Sequence, residues 1–270
     1  MKKEMTSFQR RKIMESIRNS SEETMVTEGI KDPLLRKKNT FGRPEDKKNW
    51  RHFFDVIGLM PESAKKLRVL DVGIGSGLLS CSLHKMYGYD IYATELPGIL
   101  KLKKNHKVFN RILKESKVVL KGVDVTKSKL PFDSGFFDVV IFTEIMEHIP
   151  QVYYSKIFGE IHRVLRKGGV LVVSTPNFLS LVKRAKFLFG LSPEFDLNSE
   201  PKFNGGTFMH LREYTKEELV TILKNNKFKI EKVKMSNLFY GIKSLDYLQE
   251  IVSLFSDNMK NIIIVRAKKA

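Results

Sequence analysis

Val69-Leu70-Asp71-Val72-Gly73-Ile74-Gly75-Ser76-Gly77 is the stretch from which the fold is read. An apolar run ends beside an acid, passes into a turn with glycine at alternate positions, and opens a helix-like segment near 77–87. Glycine lets a backbone approach a ligand closely, because no Cβ stands in the way. A tight strand-to-helix turn accounts for one such glycine, whereas three at alternate positions point to a backbone cradle. The spacing is D-x-G-x-G-x-G. Dinucleotide loops read G-x-G-x-x-G, with the helix N-terminus facing a pyrophosphate. Asp71 at the strand end would repel a pyrophosphate but accept hydrogen bonds from an ammonium group or a ribose.

Outward from this turn, short apolar runs alternate with helical stretches. The runs are Leu67–Val72, Asp90–Thr94, Lys117–Val123, Phe137–Thr143 and Val170–Thr175, and helix-like segments lie near 77–87, 97–113 and 151–166. This order predicts a doubly wound parallel sheet with helices on both faces. Two late strands, Lys229–Met235 and Asn261–Ala267, follow a helix at Lys216–Asn226, with an amphipathic insertion at 242–259 between them. Upstream, residues 1–48 are polar and of mixed charge, with basic clusters at Arg10-Arg11-Lys12 and Arg36-Lys37-Lys38. Trp50, Phe53, Phe54, Ile57 and Leu59 then recur at helical spacing. Residues 1–60 are thus expected to be an N-terminal arm with docking helices, and 61–270 the main domain, interrupted by substrate-cap insertions at 177–213 and 241–259.

Composition bounds the function. At 270 residues with 42% hydrophobic side chains, the chain suffices for one large domain with insertions. Its single cysteine, Cys81, cannot bridge within the chain, which agrees with a reducing compartment. No apolar run approaches the roughly 20 residues of a membrane span. The N-terminal MKKEMTSFQRRK has a signal peptide's charge without its apolar core. A cytoplasmic protein is expected. The net charge of +18 would suit RNA, anionic lipid headgroups or an anionic cofactor. Lysine, however, is scattered from Lys2 to Lys269, as on a solvated surface.

Two further acids stand in register with Asp71. Glu95 closes the second strand, where a ribose-binding carboxylate stands in such sheets, and Asp124 closes the third. Three successive strands thus deliver an acid to the carboxyl edge, where ligands bind. With Leu130-Pro131-Phe132-Asp133, Phe137-Asp138-Val139-Val140-Ile141 and Leu165-Arg166-Lys167-Gly168-Gly169-Val170-Leu171, residues 67–175 resemble the core of the Rossmann-like (class I) S-adenosylmethionine-dependent methyltransferases. The resemblance implies seven strands, the last antiparallel. It implies that Asp71, Gly73, Gly75 and Gly77 line the methionine moiety, that Glu95 holds the ribose hydroxyls, and that Leu96 packs near the adenine. Asp124 would accept from the adenine amino group with Val125 beside it, and Thr143 would lie below the sulfonium.

Thr143-Glu144-Ile145-Met146-Glu147-His148-Ile149-Pro150 follows the fourth strand. One helical turn here would place Glu144, Glu147 and His148 on one face. Two carboxylates and an imidazole suit a divalent cation, Mg or Mn first, with Fe, Co or Zn open. A later segment, His210-Leu211-Arg212-Glu213-Tyr214-Thr215, offers His210 as a fourth ligand, with Thr215 as helix N-cap and Glu218 three residues on. The pairing resembles metal-dependent small-RNA 2′-O-methyltransferases, and the ExxEH part resembles ubiquinone-pathway O-methyltransferases. Without a metal, His148 is the candidate general base.

In the cap, Phe178, Leu179, Leu181, Val182, Ala185, Leu188 and Phe189 alternate with Lys183, Arg184 and Lys186. Such a basic amphipathic helix can rest on an anionic membrane surface or contact a lipid-linked substrate; a lid with its apolar face over the pocket is the favoured reading. Pro193, Pro201 and Gly205-Gly206 mark an irregular loop. The leading function is O-methylation of a small-molecule, sugar or lipid-linked hydroxyl. The alternatives are an RNA 2′-O-methyltransferase and a catalytically silent cofactor-binding protein; the glycine spacing disfavours an NAD-dependent oxidoreductase. The sequence leaves the oligomeric state open.

Overall fold

Strands buried on both faces need apolar side chains at successive positions, and β1 (Arg68–Val72), β4 (Phe137–Thr143) and β5 (Leu165–Pro176) meet that demand. They belong to a computed structural model that describes residues 50–61, 63, 65–103, 107–194, 210–238, 250–252 and 256–270. With β2 (Asp90–Glu95), β3 (Val119–Gly122), β6 (Phe228–Ser236) and β7 (Ile262–Lys269), they form one seven-stranded sheet of order β3-β2-β1-β4-β5-β7-β6. Strands β1 to β5 pair in parallel, whereas β7 runs antiparallel to both β5 and β6. This is the Rossmann-like sheet expected, with the final strand reversed. From β1 the chain winds outward through β2 and β3, then returns to β4 on the other side. That reversal opens a crevice at the carboxyl ends of β1 and β4.

Side-chain alternation splits the core between the two faces. Leu70, Val140, Phe142 and Val173 pack under helix α5 (Tyr154–Val164) and helix α7 (Lys216–Asn225), through Phe158, Ile161, Leu219 and Leu223. Val69, Val139, Ile141 and Val172 pack under α1 (Trp50–Ile57), α2 (Leu78–Tyr87) and α4 (Lys107–Glu115). The expected docking helix is α1: Val56 and Ile57 join that core, and Asp55 takes a bond from Ser236 and an ion pair from Lys234 on β6.

Several boundaries move for physical reasons. The third strand starts at Val119, because Lys117 turns left-handed (φ 49°) and the amide of Val118 donates to Leu113, which ends α4. Of the helix expected over 97–113, the structure describes α3 (Pro97–Lys103) and α4, with 104–106 outside the described residues. The fifth strand begins five residues early, because Leu165 already pairs with Phe137. The cap helix α6 (Leu181–Leu188) departs most. It has no buried residue, and Phe187, Leu188 and Phe189 point to solvent while Lys183 is turned inward. Leu181, Val182 and Ala185 are half-buried beside Lys183, so the apolar face expected of a lid turns inward only over the first part of the helix, where a buried carboxylate also draws in the lysine. Residues 1–49, the loop with Pro201 and Gly205-Gly206, and most of 241–259 lie outside the described residues. Among those described, no helix is long and apolar enough to cross a membrane.

Candidate functional site

The glycine turn is folded over the end of β2. The amides of Gly73 and Ile74 both donate to the Thr94 carbonyl, at 2.9 and 3.0 Å. Gly73, Gly75 and Gly77 all adopt positive φ, where side chains are strained. A Cβ on Gly73 would fall 2.2 Å from Ile145 Cδ1, so this glycine lets the loop lie against the segment after β4. Around Gly75, by contrast, a Cβ would meet only the Gly73 carbonyl, 4.0 Å away. The middle of the loop is open.

The acids expected on this edge are there, each with a distinct environment. Asp71 is buried and accepts a 2.6 Å bond from the Ser80 hydroxyl on α2; burial pushes its carboxyl up to about 7. Glu95 accepts from the Leu96 amide at 3.0 Å and from Lys103 Nζ at 2.6 Å, while Leu96 itself is exposed. The same lysine donates to the Gly75 carbonyl at 2.7 Å, so Lys103 spans the glycine loop and the ribose-type acid. Asp124 accepts from both the amide and the hydroxyl of Thr126, closing a turn on itself. Burial raises the Asp124 carboxyl, but these bonds and Lys127 outweigh it and hold the group below its ordinary value. Val125 packs on the core beneath, and Thr143 ends β4 opposite Ser174.

Beyond Thr143 the chain turns sharply. Glu144 takes a left-handed φ of 53°, its amide donating to Ser174, and a single 3-10 turn follows at Met146–His148. That turn is pinned from behind: Tyr154 donates to the Met146 carbonyl at 2.5 Å and pairs with the Tyr214 hydroxyl at 2.6 Å. The 210–214 segment docks beside it, with the Leu211 amide donating to the Glu147 carbonyl at 2.7 Å. The capping box expected at Thr215 and Glu218 forms with both bonds and fixes where this segment enters α7.

Glu147, His148 and His210 thereby converge, with one ligand-type atom of each within 4.8 Å of the others. The two imidazoles meet edge to face at 4.9 Å. Glu147 is 1% exposed; its Oε2 accepts from Thr175 at 3.1 Å, and its Oε1 has no hydrogen-bond partner. Burial first, and then the charge of Glu144, push its carboxyl well above the ordinary range. Glu144 stands apart from the trio. Its Oε1 accepts a 2.6 Å bond from Ser174 and lies 3.8 Å from Nε2 of the buried His52, whose own pKa is lowered by burial.

Three groups at this site have no place in the motif reading: His52 from α1, Lys103 on α3, and the Lys183–Glu213 pair beside His210. Glu213 lay within H-x-x-E, three residues after His210, and was the one signal available. The others are brought in by packing between distant parts of the chain.

Residues 70–173 match the family model described as a methyltransferase domain. The ubiquinone biosynthesis O-methyltransferase of Xanthomonas oryzae pv. oryzae (strain PXO99A) is 31% identical over 173 residues, which are 62% of this chain and 64% of that protein. The chain thus spans just under two thirds of that relative's length. Among solved structures, a SAM-dependent methyltransferase from Methanosarcina mazei has a TM-score of 0.54 at 18% identity, over 80% of this chain and 96% of that one. A geranyl diphosphate C-methyltransferase from Streptomyces coelicolor A3(2), determined with Mg2+, geranyl-S-thiolodiphosphate and S-adenosyl-L-homocysteine, gives 0.54 at 14% identity, over 81% and 75%.

Proposed function

We propose that the chain, whose residues 70–173 match the methyltransferase domain model on a class I S-adenosylmethionine-dependent fold, methylates a hydroxyl oxygen of a small or lipid-linked acceptor with a divalent cation at Glu147, His148 and His210. The residues present fit the cofactor. The open face of the loop at Gly75 leaves its backbone approachable, and Asp71, Glu95, Leu96, Asp124, Val125 and Thr143 would surround the methionine, ribose and adenine parts. S-adenosylmethionine, when bound, supplies an electrophilic methyl group on a sulfonium. The chain's own task is then alignment: a rigid sheet edge holds donor and acceptor within one crevice, which lowers the entropic part of the barrier.

One observation carries the acceptor side. Glu147 Oε1 is a buried carboxylate oxygen with no hydrogen-bond partner, 3.9 Å from His148 Nε2 and close to His210. Buried charge is costly unless it is paired or coordinates a metal, and this donor set suits a divalent ion. Such an ion makes a nearby hydroxyl more acidic, which favours oxygen as the methylated atom. The 31% identity to a protein named as an O-methyltransferase supports the same choice. His148 is the group to receive the hydroxyl proton if no cation binds.

Calorimetric titration of S-adenosylhomocysteine into metal-stripped protein, then of Mg2+, Mn2+ and Zn2+, tests the reading. Cofactor binding together with a separate metal event that Glu147→Ala abolishes is the expected result. No cofactor binding under any condition would remove the methyltransferase assignment, and cofactor without metal would leave His148 as base. The net charge of +18 favours one second reading, a hydroxyl carried on RNA. That reading requires affinity for short RNA falling steeply with salt.

A further inference from the structure

Behind His210 stands a carboxylate that none of the roles above uses. Glu213 is 2% exposed; its Oε1 lies 3.0 Å from His210 Nδ1, and its Oε2 forms an ion pair with Lys183. The Lys183 side chain, at 11% exposure, is itself withdrawn from solvent and comes from α6. Burial alone would raise the Glu213 carboxyl, but the bond from His210 and the Lys183 ammonium reverse this and keep it below its ordinary value.

Two consequences follow from this geometry. A carboxylate at Nδ1 accepts a hydrogen bond from Nδ1–H, which keeps the proton on that nitrogen, leaves Nε2 of His210 as the metal-binding nitrogen and fixes the plane of the ring. The third member of the chain belongs to a helix with no buried residue, whose far end exposes Phe187, Leu188 and Phe189. An element so lightly packed gains much of its position from the ion pair at its inner face. The connection runs from solvent-facing helix to ammonium, carboxylate, imidazole and candidate cation site.

Resting on the metal reading above, we propose that Glu213 and Lys183 are positioning residues: Glu213 orients His210 toward the cation, and Lys183 makes that orientation depend on α6 being seated. Whatever acceptor displaces or secures α6 would then loosen or tighten the cation.

The test measures cation affinity, not turnover. Mn2+ binding is followed by the electron paramagnetic resonance of the free aquo ion, and Zn2+ binding by competition with a chelating dye. The proteins are wild type, Glu213→Gln, Lys183→Met and Lys183→Arg, with S-adenosylhomocysteine affinity as the control. Glu213→Gln is expected to weaken cation binding by about 10- to 100-fold, the range typical of lost outer-shell partners. Lys183→Met should weaken it in the same direction and Lys183→Arg should restore it, with cofactor affinity unchanged throughout. Equal cation affinity in wild type and Glu213→Gln would overturn the inference and leave the metal reading standing. Loss of cofactor affinity alongside would overturn it as well, by showing a general disturbance. A wild type that binds neither ion overturns the metal reading, and the inference falls with it.

Discussion

Asp71→Asn is expected to stabilise the cofactor-free protein by an amount that grows with pH. Asp71 closes the buried strand β1, and burial is the largest influence on its carboxyl, lifting it from 3.8 to about 7 against the bond from Ser80. Glu95 adds to the rise and Lys103 opposes it. A folded-state pKa above the unfolded value means that the group's stability is complete below the unfolded pKa and is lost as pH climbs to the folded one. The gap is about 3 units, at roughly 1.4 kcal/mol per unit, so ionised Asp71 costs the folded state about 4 kcal/mol once pH exceeds 7. At about pH 5 the cost is only about 2 kcal/mol, because the folded form still holds its proton. Asparagine keeps an acceptor for the Ser80 hydroxyl and has no proton to lose. Urea denaturation of both proteins at about pH 5 and about pH 8 should show the variant's advantage larger at the higher pH by roughly 2–3 kcal/mol. An advantage equal at the two pH values would refute the reasoning, since it would mean that Asp71 does not titrate differently in the folded chain.

Three further outcomes are expected. Gly73→Ala puts a methyl group 2.2 Å from Ile145 Cδ1 at a φ of +77°, and should cost about 1–3 kcal/mol in thermal or chemical unfolding; a melting curve matching wild type would show that the loop gives way. Lys103→Met frees Glu95 and the Gly75 carbonyl from the ammonium that now holds both, so S-adenosylhomocysteine affinity should rise about 2- to 10-fold in calorimetry; a fall would show that Lys103 serves the cofactor instead. Tyr214→Phe removes one half of the 2.6 Å hydroxyl pair behind the 3-10 turn. It should cost about 1–2 kcal/mol, read as a melting point lower by a few degrees.

The two sides of the crevice were unequally legible, and the reason is distance along the chain. On the β1–β3 side each functional residue sits at a fixed offset from its own strand. The run Val69–Gly77 contains most of β1, the acid and the turn together, Glu95 is the last residue of β2, and Asp124 stands two residues beyond β3. Local pattern suffices there, because strand-to-helix turns in a parallel sheet all emerge at the same edge. The β4–β5 side is assembled from His52, Glu147, Thr175, Lys183 and His210, whose proximity depends on how α1, α6 and the 210–214 segment dock. Glu147, His148 and His210 could be singled out because their residue types are those of possible ligands, and the structure brings one ligand-type atom of each within 4.8 Å of the others. Lys183 carried no such mark. In sequence it is one of several cations on an amphipathic helix, and only the buried carboxylate of Glu213 selects it.

The same asymmetry has a consequence for how the site divides its work. The side proposed for the cofactor is formed mainly by hydrogen bonds between adjacent turns, such as those from Gly73 and Ile74 to Thr94. The side proposed for the acceptor stores unfavourable electrostatics instead: a buried Glu147 carboxyl with one oxygen lacking a hydrogen bond, the half-buried Glu144 carboxylate within its field, and a backbone strained at φ 53° between β4 and the turn. Residues so placed lose stability for the empty protein, and a cation is the agent that would offset the loss. Saturating Mn2+ should therefore raise the melting temperature of wild type by several degrees and that of Glu147→Gln by much less, while Glu147→Gln without metal should melt at or above the wild-type value. If removing the Glu147 charge lowered stability in metal-free buffer, the carboxylate would be a structural partner of Thr175 and not a ligand held in waiting.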